Sequence, residues 1–186
     1  MLDKGLQMRN NLIISSAYIA AYEMLNSRII DFINDINNLN IYMHGIYLID
    51  TTSYNNNSPE DKMYLQNKAL HHMLYNNVIN YCDFSLIPNI RIYRNYLAHN
   101  MEYYIFAEPL RGTSSSLYAM KDIFYKIEMW CADRVDRFIN PCNNKRTINA
   151  YGVVNSMKLE RINQFVKTAL TIDESMKEGG FAGVRY

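Results

Sequence analysis

The residues best suited to do chemistry lie together in one short run, Arg91 to Asn100, which reads RIYRNYLAHN. On a helix, Asn95 and His99 share one face because they are four residues apart. Arg94 lies five residues from His99, about 140° around a regular helix, and its long side chain can cover that gap. The three polar tips can therefore converge on one small anion, with Arg91 as a second positive charge beside them.

A phosphodiester is the anion that this grouping suits. A guanidinium holds phosphate oxygens bidentately and stays charged at cellular pH. An imidazole can give or take a proton near neutral pH, and neither group needs a metal ion. Spacing alone, however, is explained more simply by a helix with a polar outer face.

The identity of the residues in this run is informative beyond their spacing. Residues 94–99, RNYLAH, resemble the RX4-6H signature of HEPN domains (higher eukaryote and prokaryote nucleotide-binding) in its frequent form Arg-Asn, three residues, His. The likeness covers the motif closely and the order of helices loosely. It implies a metal-independent endoribonuclease, often the toxin of a toxin–antitoxin or phage-defence system, that cleaves tRNA or mRNA.

The resemblance also implies roles for individual residues. Arg94 would bind the phosphate and stabilise the phosphorane-like transition state, His99 would transfer protons, and Asn95 would orient the imidazole or the phosphate. The ribose 2′-OH would attack in line and leave a 2′,3′-cyclic phosphate and a 5′-OH. Outside the motif, we expect substrate binding by Arg91 and Arg111, and by Tyr103 as a base-stacking aromatic.

In HEPN ribonucleases the Arg and His of two protomers meet across a dimer interface. A homodimer would also answer a chemical need, because one chain offers a single convincing histidine and in-line cleavage uses both an acid and a base.

Some HEPN toxins carry a tyrosine two residues after the His, which a partner nucleotidyltransferase modifies with AMP. Here that position is Met101, so control by that exact route is not expected; an antitoxin such as a nucleotidyltransferase stays open as a partner.

Two other functions remain open at this stage. One is a non-catalytic HEPN module that binds a nucleotide or a protein, with Arg94 and His99 only as ligand contacts. The other is a helical interaction protein in which the same two side chains stabilise a dimer interface. The formal net charge of +1 argues mildly against tight nonspecific RNA binding, which a local patch of arginines would offset.

Other familiar signatures of chemistry are missing. The chain has no GxGxxG, GxxxxGK[ST], HExxH or GxSxG motif and no carboxylate cluster at metal spacing, so we expect no metal and no cofactor. His71 and His72 are adjacent on a predicted helix, where they point about 100° apart and cannot easily share one metal. The serines at 114–116 are better suited to cap a helix than to act as nucleophiles.

The first predicted helix has the clearest pattern. Apolar residues recur at steps of three and four along it: Ile14, Tyr18, Ala21, Leu25, Ile29, Phe32 and Ile36. Asparagines at 37, 38 and 40 are expected to end it, and residues 41–57 read as a loop. These seven positions predict one long buried face.

Four more helices are predicted, with breaks at Pro and Gly. The second begins at Ser58-Pro59 and runs to about Tyr81, with Met63, Leu70, Leu74, Val78 and Tyr81 inward. Pro88-Asn89 precedes the third, at about 90–106. The fourth runs from the serines to Asn140, with Leu117, Tyr118, Phe124, Ile127, Cys131, Val135 and Phe138 inward, and the fifth spans about 154–177.

Composition agrees with an all-α bundle of four or five helices. Seven Gly and four Pro among 186 residues are few, and 49% hydrophobic content supports a buried core. We expect a single helical, HEPN-like domain over 1–178 and a Gly-rich tail over 179–186.

No stretch reaches the roughly 18 to 20 apolar residues that span a bilayer. Three scattered cysteines fit reduced thiols in a cytoplasmic protein, although residues 4–21 superficially resemble a signal peptide.

Overall fold

The structure, a computed structural model, describes residues 4–44, 59–106, 113–139, 157 and 159–172. Within these ranges the chain is almost entirely helical and contains no strand, which confirms the all-α bundle. The helices are α1 Lys4–His44, α2 Pro59–Tyr75, α3 Tyr81–His99, α4 Met101–Phe106, α5 Thr113–Ile139 and α6 at 159–172. Arg111 and the predicted tail at 179–186 lie outside the described residues.

Helix α1 is the central element, and α2, α3, α4 and α5 all pack against it. Its predicted apolar face is confirmed, because all seven residues from Ile14 to Ile36 are buried. The predicted end at the asparagines is wrong: Asn37 is itself buried, and the helix continues to His44. Packing of the long apolar face outweighs the weak helix propensity of Asn, so residues 41–44 form the last turn instead of a loop.

The segment predicted as the second helix forms a shorter helix followed by a sharp turn. Helix α2 ends at Tyr75, and Asn77 follows in the left-handed region at φ 55°, which Asn tolerates better than most residues. Asn80 then caps α3 in a reciprocal capping box: its side chain accepts from the Asp83 N–H at 2.9 Å, and its own N–H donates to the Asp83 carboxylate at 3.0 Å. Two positions expected inward, Met63 and Tyr81, are therefore exposed.

Helix α3 passes through Pro88, where the sequence predicts a break. The neighbouring Ile87 and Ile90 are both buried, so the core holds the helix on either side of a residue that cannot donate a backbone hydrogen bond. The predicted helix at 90–106 is instead split after His99, where the Asn100 N–H donates to the Tyr96 carbonyl at 3.0 Å. The Arg-Asn…His run thus occupies the end of a longer helix.

Helices α5 and α6 complete the bundle. The predicted inward residues Leu117, Phe124, Ile127 and Cys131 are buried, but Tyr118 is exposed. Helix α6 adds to the core the three buried residues Ile162, Val166 and Ala169, within the fifth predicted helix. None of the helices in the described ranges combines the length and the apolar character that crossing a membrane requires.

A buried charged cluster joins α1 to α5, and we call it the Arg28 cluster. The Arg28 guanidinium is 3% exposed and pairs with Asp35 at 2.8 Å and with Glu128 of α5. Its third nitrogen lies 3.1 Å from the Cys131 sulfur. The cluster fixes the register of the two longest helices, because a buried cation and its carboxylates must meet.

Candidate functional site

The sequence-predicted site lies on the last turns of α3, where the helix presents its outward side to solvent. Four exposed residues share this side, and we call them the outer face of α3: Ile92, Asn95, Tyr96 and His99. Their spacing of three and four residues aligns them along one line of the helix. Ile90 and Leu97 point the opposite way, into the core, and so fix which residues face outward.

Arg94 lies on the flank of α3 that meets α1, and its guanidinium is held by three neighbours. Nη1 donates to the Asn95 side-chain oxygen at 2.9 Å, and Nη2 forms an ion pair with Glu23. The guanidinium also lies over the Tyr22 ring, 5.6 Å from its centroid. Its Nε is buried and has no hydrogen-bond partner among the described residues. We call Tyr22, Glu23, Arg94 and Asn95 the Arg94 cluster.

The Arg94 cluster is open to solvent. The side chains of Arg94 and Glu23 are 28% and 48% exposed. Ion pairs this exposed contribute little to stability, typically about 0.2–1 kcal/mol, because water and salt screen them. Glu23 therefore orients the guanidinium without binding it so strongly that another anion could not take its place.

Arg91 is turned toward α2. Its Nη1 donates to the Gln66 side-chain oxygen at 3.2 Å, and the Gln66 amide donates to the Tyr22 hydroxyl at 3.4 Å. This short chain of side chains links α3, α2 and α1 just behind Arg94. Arg91 thus supports the Arg94 cluster in the structure, whereas the sequence predicts a second positive stripe beside it.

His99 is exposed at the C-terminal end of α3. The described part of the chain offers its imidazole no hydrogen-bond partner, and no contact joins it to Arg94. Within one chain, the structure therefore brings together Arg94 and Asn95 and leaves His99 on the adjacent outer face. Tyr103 follows on α4 with 70% of its surface exposed.

The buried Tyr18 of α1 meets the half-buried Tyr93 of α3. The Tyr18 and Tyr93 rings meet edge to face with centroids 5.1 Å apart, and the Tyr18 hydroxyl donates to the Ile90 carbonyl at 3.4 Å. Burial raises the pKa of Tyr18 to about 12 and also raises the pKa of Tyr93. Both phenols are therefore neutral at physiological pH and act as packing groups beneath the helix.

Three residues of this site were not predicted from the sequence: Tyr22, Glu23 and Gln66. Glu23 lies 71 residues before Arg94, so no local spacing connects them. The only available signal is the position of Tyr22 and Glu23 beside the buried line of α1, which places them near a neighbouring helix without identifying it. Among the described residues, no group of His, Cys, Asp or Glu side chains could hold a metal ion.

The fold and the site define the chain as an all-α helical bundle with an Arg-Asn pair and a His on one exposed helix end. No protein-family model matches the sequence, and comparisons with curated proteins and with solved structures find no match either.

Proposed function

We propose that this protein is a metal-independent endoribonuclease of HEPN type that acts on RNA in the cytoplasm as a homodimer, with a role as a toxin or in phage defence. The observation that carries the proposal is the Arg94–Asn95 side-chain pair, 2.9 Å apart, one turn before an exposed His99 on the same helix. These residues belong to the RNYLAH run, which resembles the HEPN signature in residue types and spacing.

The proposed reaction is an internal transesterification. The ribose 2′-oxygen attacks the adjacent phosphorus in line, the bond from phosphorus to the 5′-oxygen breaks, and the products are a 2′,3′-cyclic phosphate and a 5′-OH. Arg94 neutralises charge that develops on the non-bridging oxygens. One copy of His99 removes the 2′ proton and the other gives a proton to the leaving 5′-oxygen.

The outer face of α3 supports a homodimer. Ile92 and Tyr96 are 64% and 50% exposed, and they flank the line that leads to His99. A twofold contact through this face would bury both side chains in each copy and bring two imidazoles toward the axis. The Ile92→Asp variant should therefore be monomeric by light scattering and should cut RNA poorly, with its helical circular dichroism unchanged.

The decisive experiment is RNA cleavage by the purified protein in EDTA, with end-group analysis of the products. Wild type should yield 2′,3′-cyclic phosphate ends, and Arg94→Ala and His99→Ala should each lower the rate at least about 100-fold. The matched control is Arg134→Ala, because Arg134 also covers an aromatic ring, that of Trp130 at 4.8 Å, but lies on α5. Absence of cleavage by dimeric wild-type protein would refute the nuclease.

The exposed ion pair between Arg94 and Glu23 favours a second candidate, because an anionic ligand can replace Glu23 without any proton transfer by His99. This candidate is a HEPN module that binds a nucleotide or a protein partner without cutting RNA. In that case Arg94→Ala would weaken ligand binding, and wild type would leave every RNA intact. If His99→Ala instead dissolves the dimer and changes nothing else, the two residues serve an interface alone. Growth of bacteria expressing each variant adds a cellular readout of toxicity.

A further inference from the structure

Helix α2 presents a line of rings to solvent on the side away from the core. Tyr64, Lys68, His71 and Tyr75 follow one another at steps of four, three and four residues, so they align on one face. Tyr81 and Phe84, in the first turn of α3, continue the line beyond the Asn-rich turn. We call these residues the aromatic stripe: Tyr64, Lys68, His71, Tyr75, Tyr81 and Phe84.

The tyrosine rings of the aromatic stripe are exposed, whereas Phe84 is half-buried against the core. Tyr75 is 86% exposed and Tyr81 is 72% exposed. Tyr81 stacks on Phe84 with centroids 6.4 Å apart and planes 24° from parallel, and Phe84 in turn contacts the His71 ring at 5.0 Å. Exposed aromatic surface of this extent marks an interaction site more often than a random feature of the surface.

The aromatic stripe carries one lysine, Lys68, and the acid Asp61 lies on the same face three residues before Tyr64. Residues 62–82 contain two lysines and two histidines and not one Asp or Glu. Lys68 lies over the Tyr64 ring, 5.5 Å from its centroid. The next acid, Asp83, is already engaged, because the Lys126 ammonium lies 3.0 Å and 3.1 Å from its two oxygens. The part of the stripe from Tyr64 to Tyr81 therefore contains one cation, Lys68, and no acid.

We propose that the aromatic stripe binds single-stranded nucleic acid, with bases stacked on the tyrosine rings and a phosphate beside Lys68. Aromatic faces interleaved with cations are the elements that unpaired strands require, since every base has a π-face and every linkage has a negative charge. The α2 part of the stripe alone is about 16 Å long, from the rise of 1.5 Å per residue. Binding here needs neither Arg94 nor His99, so the inference does not depend on cleavage.

A protein partner fits these observations less well. Helix-in-groove docking uses a continuous line of apolar anchors at i, i+3, i+4 and i+7. The aromatic stripe offers Tyr, Lys and His at those positions. Charge also favours an anionic partner, because Lys68 is the only Asp, Glu, Lys or Arg between Tyr64 and Tyr81.

The test uses the full-length protein and a fluorescent single-stranded oligothymidylate of about a dozen nucleotides, followed by anisotropy at several salt concentrations. This DNA lacks the 2′-OH, so the proposed nuclease cannot cut it. Tyr75→Ala and Tyr81→Ala should each weaken binding about 5- to 150-fold, the range for loss of one stacked base. Tyr75→Phe should bind as wild type does, whereas Tyr75→Leu should bind as weakly as the alanine variant.

Two further variants make the test specific. Tyr118→Ala is the matched control, because Tyr118 is an exposed tyrosine of α5 with the Lys121 ammonium 5.9 Å from its ring, and it should leave binding unchanged. Lys68→Met should reduce the slope of log K against log salt by about 0.7, the value for one phosphate contact on a single strand.

Three results would overturn the inference. In the first, wild type fails to bind the oligonucleotide even at low salt, and in the second, Tyr118→Ala and Tyr75→Ala weaken binding equally. In the third, Tyr75→Ala changes self-association and leaves DNA binding intact, which identifies a face for a second copy of the chain. Failure of the nuclease proposal is a separate outcome, in which wild type binds this DNA through the aromatic stripe and cuts no RNA.

Discussion

Helix α1 takes part in two arginine clusters that differ in burial. In the Arg28 cluster the guanidinium is 3% exposed and faces a Glu128 side chain that is 8% exposed. In the Arg94 cluster the corresponding side chains are 28% and 48% exposed. Both arginines meet a carboxylate from another helix, so the chemistry of the pair is the same and only the surroundings differ.

The difference in burial predicts different roles for the two clusters. A buried ion pair has no water to replace a lost partner, so each member must stay for the helices to remain together. An exposed pair can exchange its carboxylate for another anion at little cost. The Arg28 cluster therefore joins α1 to α5, whereas the exposure of the Arg94 cluster is compatible with the binding role proposed for it.

The largest expected effect is on stability, from Arg28→Ala. Removing the guanidinium leaves the carboxylates of Glu128 and Asp35 in a mostly buried place without their cation, which should lower the free energy of unfolding by about 3–5 kcal/mol. Urea unfolding followed by circular dichroism measures the change. Arg94→Ala should cost no more than about 1 kcal/mol in the same assay.

A double variant checks the physical reason for the loss. Replacing Arg28 and Glu128 together by Met and Leu removes the most buried charge pair and keeps the volume, so part of the lost stability should return, although Asp35 still lacks its cation. Equal destabilisation by Arg28→Ala and Arg94→Ala would instead remove the distinction between the two clusters.

The next largest effect concerns pH and Tyr18 of α1, which is fully shielded from solvent. Its pKa is about 12 in the folded chain against an ordinary 10.0. Between these values the unfolded chain has released a proton that the folded chain keeps, so stability present below pH 10 is lost as pH rises toward 12. The loss should be about 2–3 kcal/mol. Unfolding of Tyr18→Phe across this range should lack this contribution, whereas an unchanged pH dependence would contradict it.

Arg94→Lys should have the third largest effect, on activity alone. Lysine keeps the positive charge but cannot bond two phosphate oxygens through a planar fork. The RNA cleavage rate should fall about 10- to 100-fold, with stability within about 1 kcal/mol of wild type. Full activity of this variant would mean that Arg94 acts only as a point charge.

Sequence periodicity was sufficient to predict the helices that bury a long apolar line. The seven inward residues of α1 are a clear example, since every one of them is buried. Helix boundaries were less predictable, as Pro88 shows: burial of Ile87 and Ile90 keeps α3 helical where backbone chemistry alone favours a break. Tertiary packing decided these cases, and packing has no local signature.

The candidate site was predictable only in part for the same reason. The positions of Arg94, Asn95 and His99 at the solvent-exposed end of a helix follow from the run itself. Their partners do not, because Glu23 and Tyr22 reach Arg94 only through the packing of α1 against α3. The sequence thus predicted which residues could form a site, and the structure adds which side chains contact the guanidinium.

The smallest expected effect tests that last point through Glu23→Gln. The neutral amide still lies beside Arg94 but no longer competes with a phosphate for the guanidinium. Since exposed ion pairs contribute about 0.2–1 kcal/mol, the KM for RNA should fall about 1.4- to 5-fold, and kcat should change little. The matched control is Asp122→Gln, which removes an exposed carboxylate that pairs with Lys126 at 2.7 Å on α5. A fall in kcat for Glu23→Gln with KM unchanged would instead make Glu23 a positioning residue that Arg94 needs in the transition state.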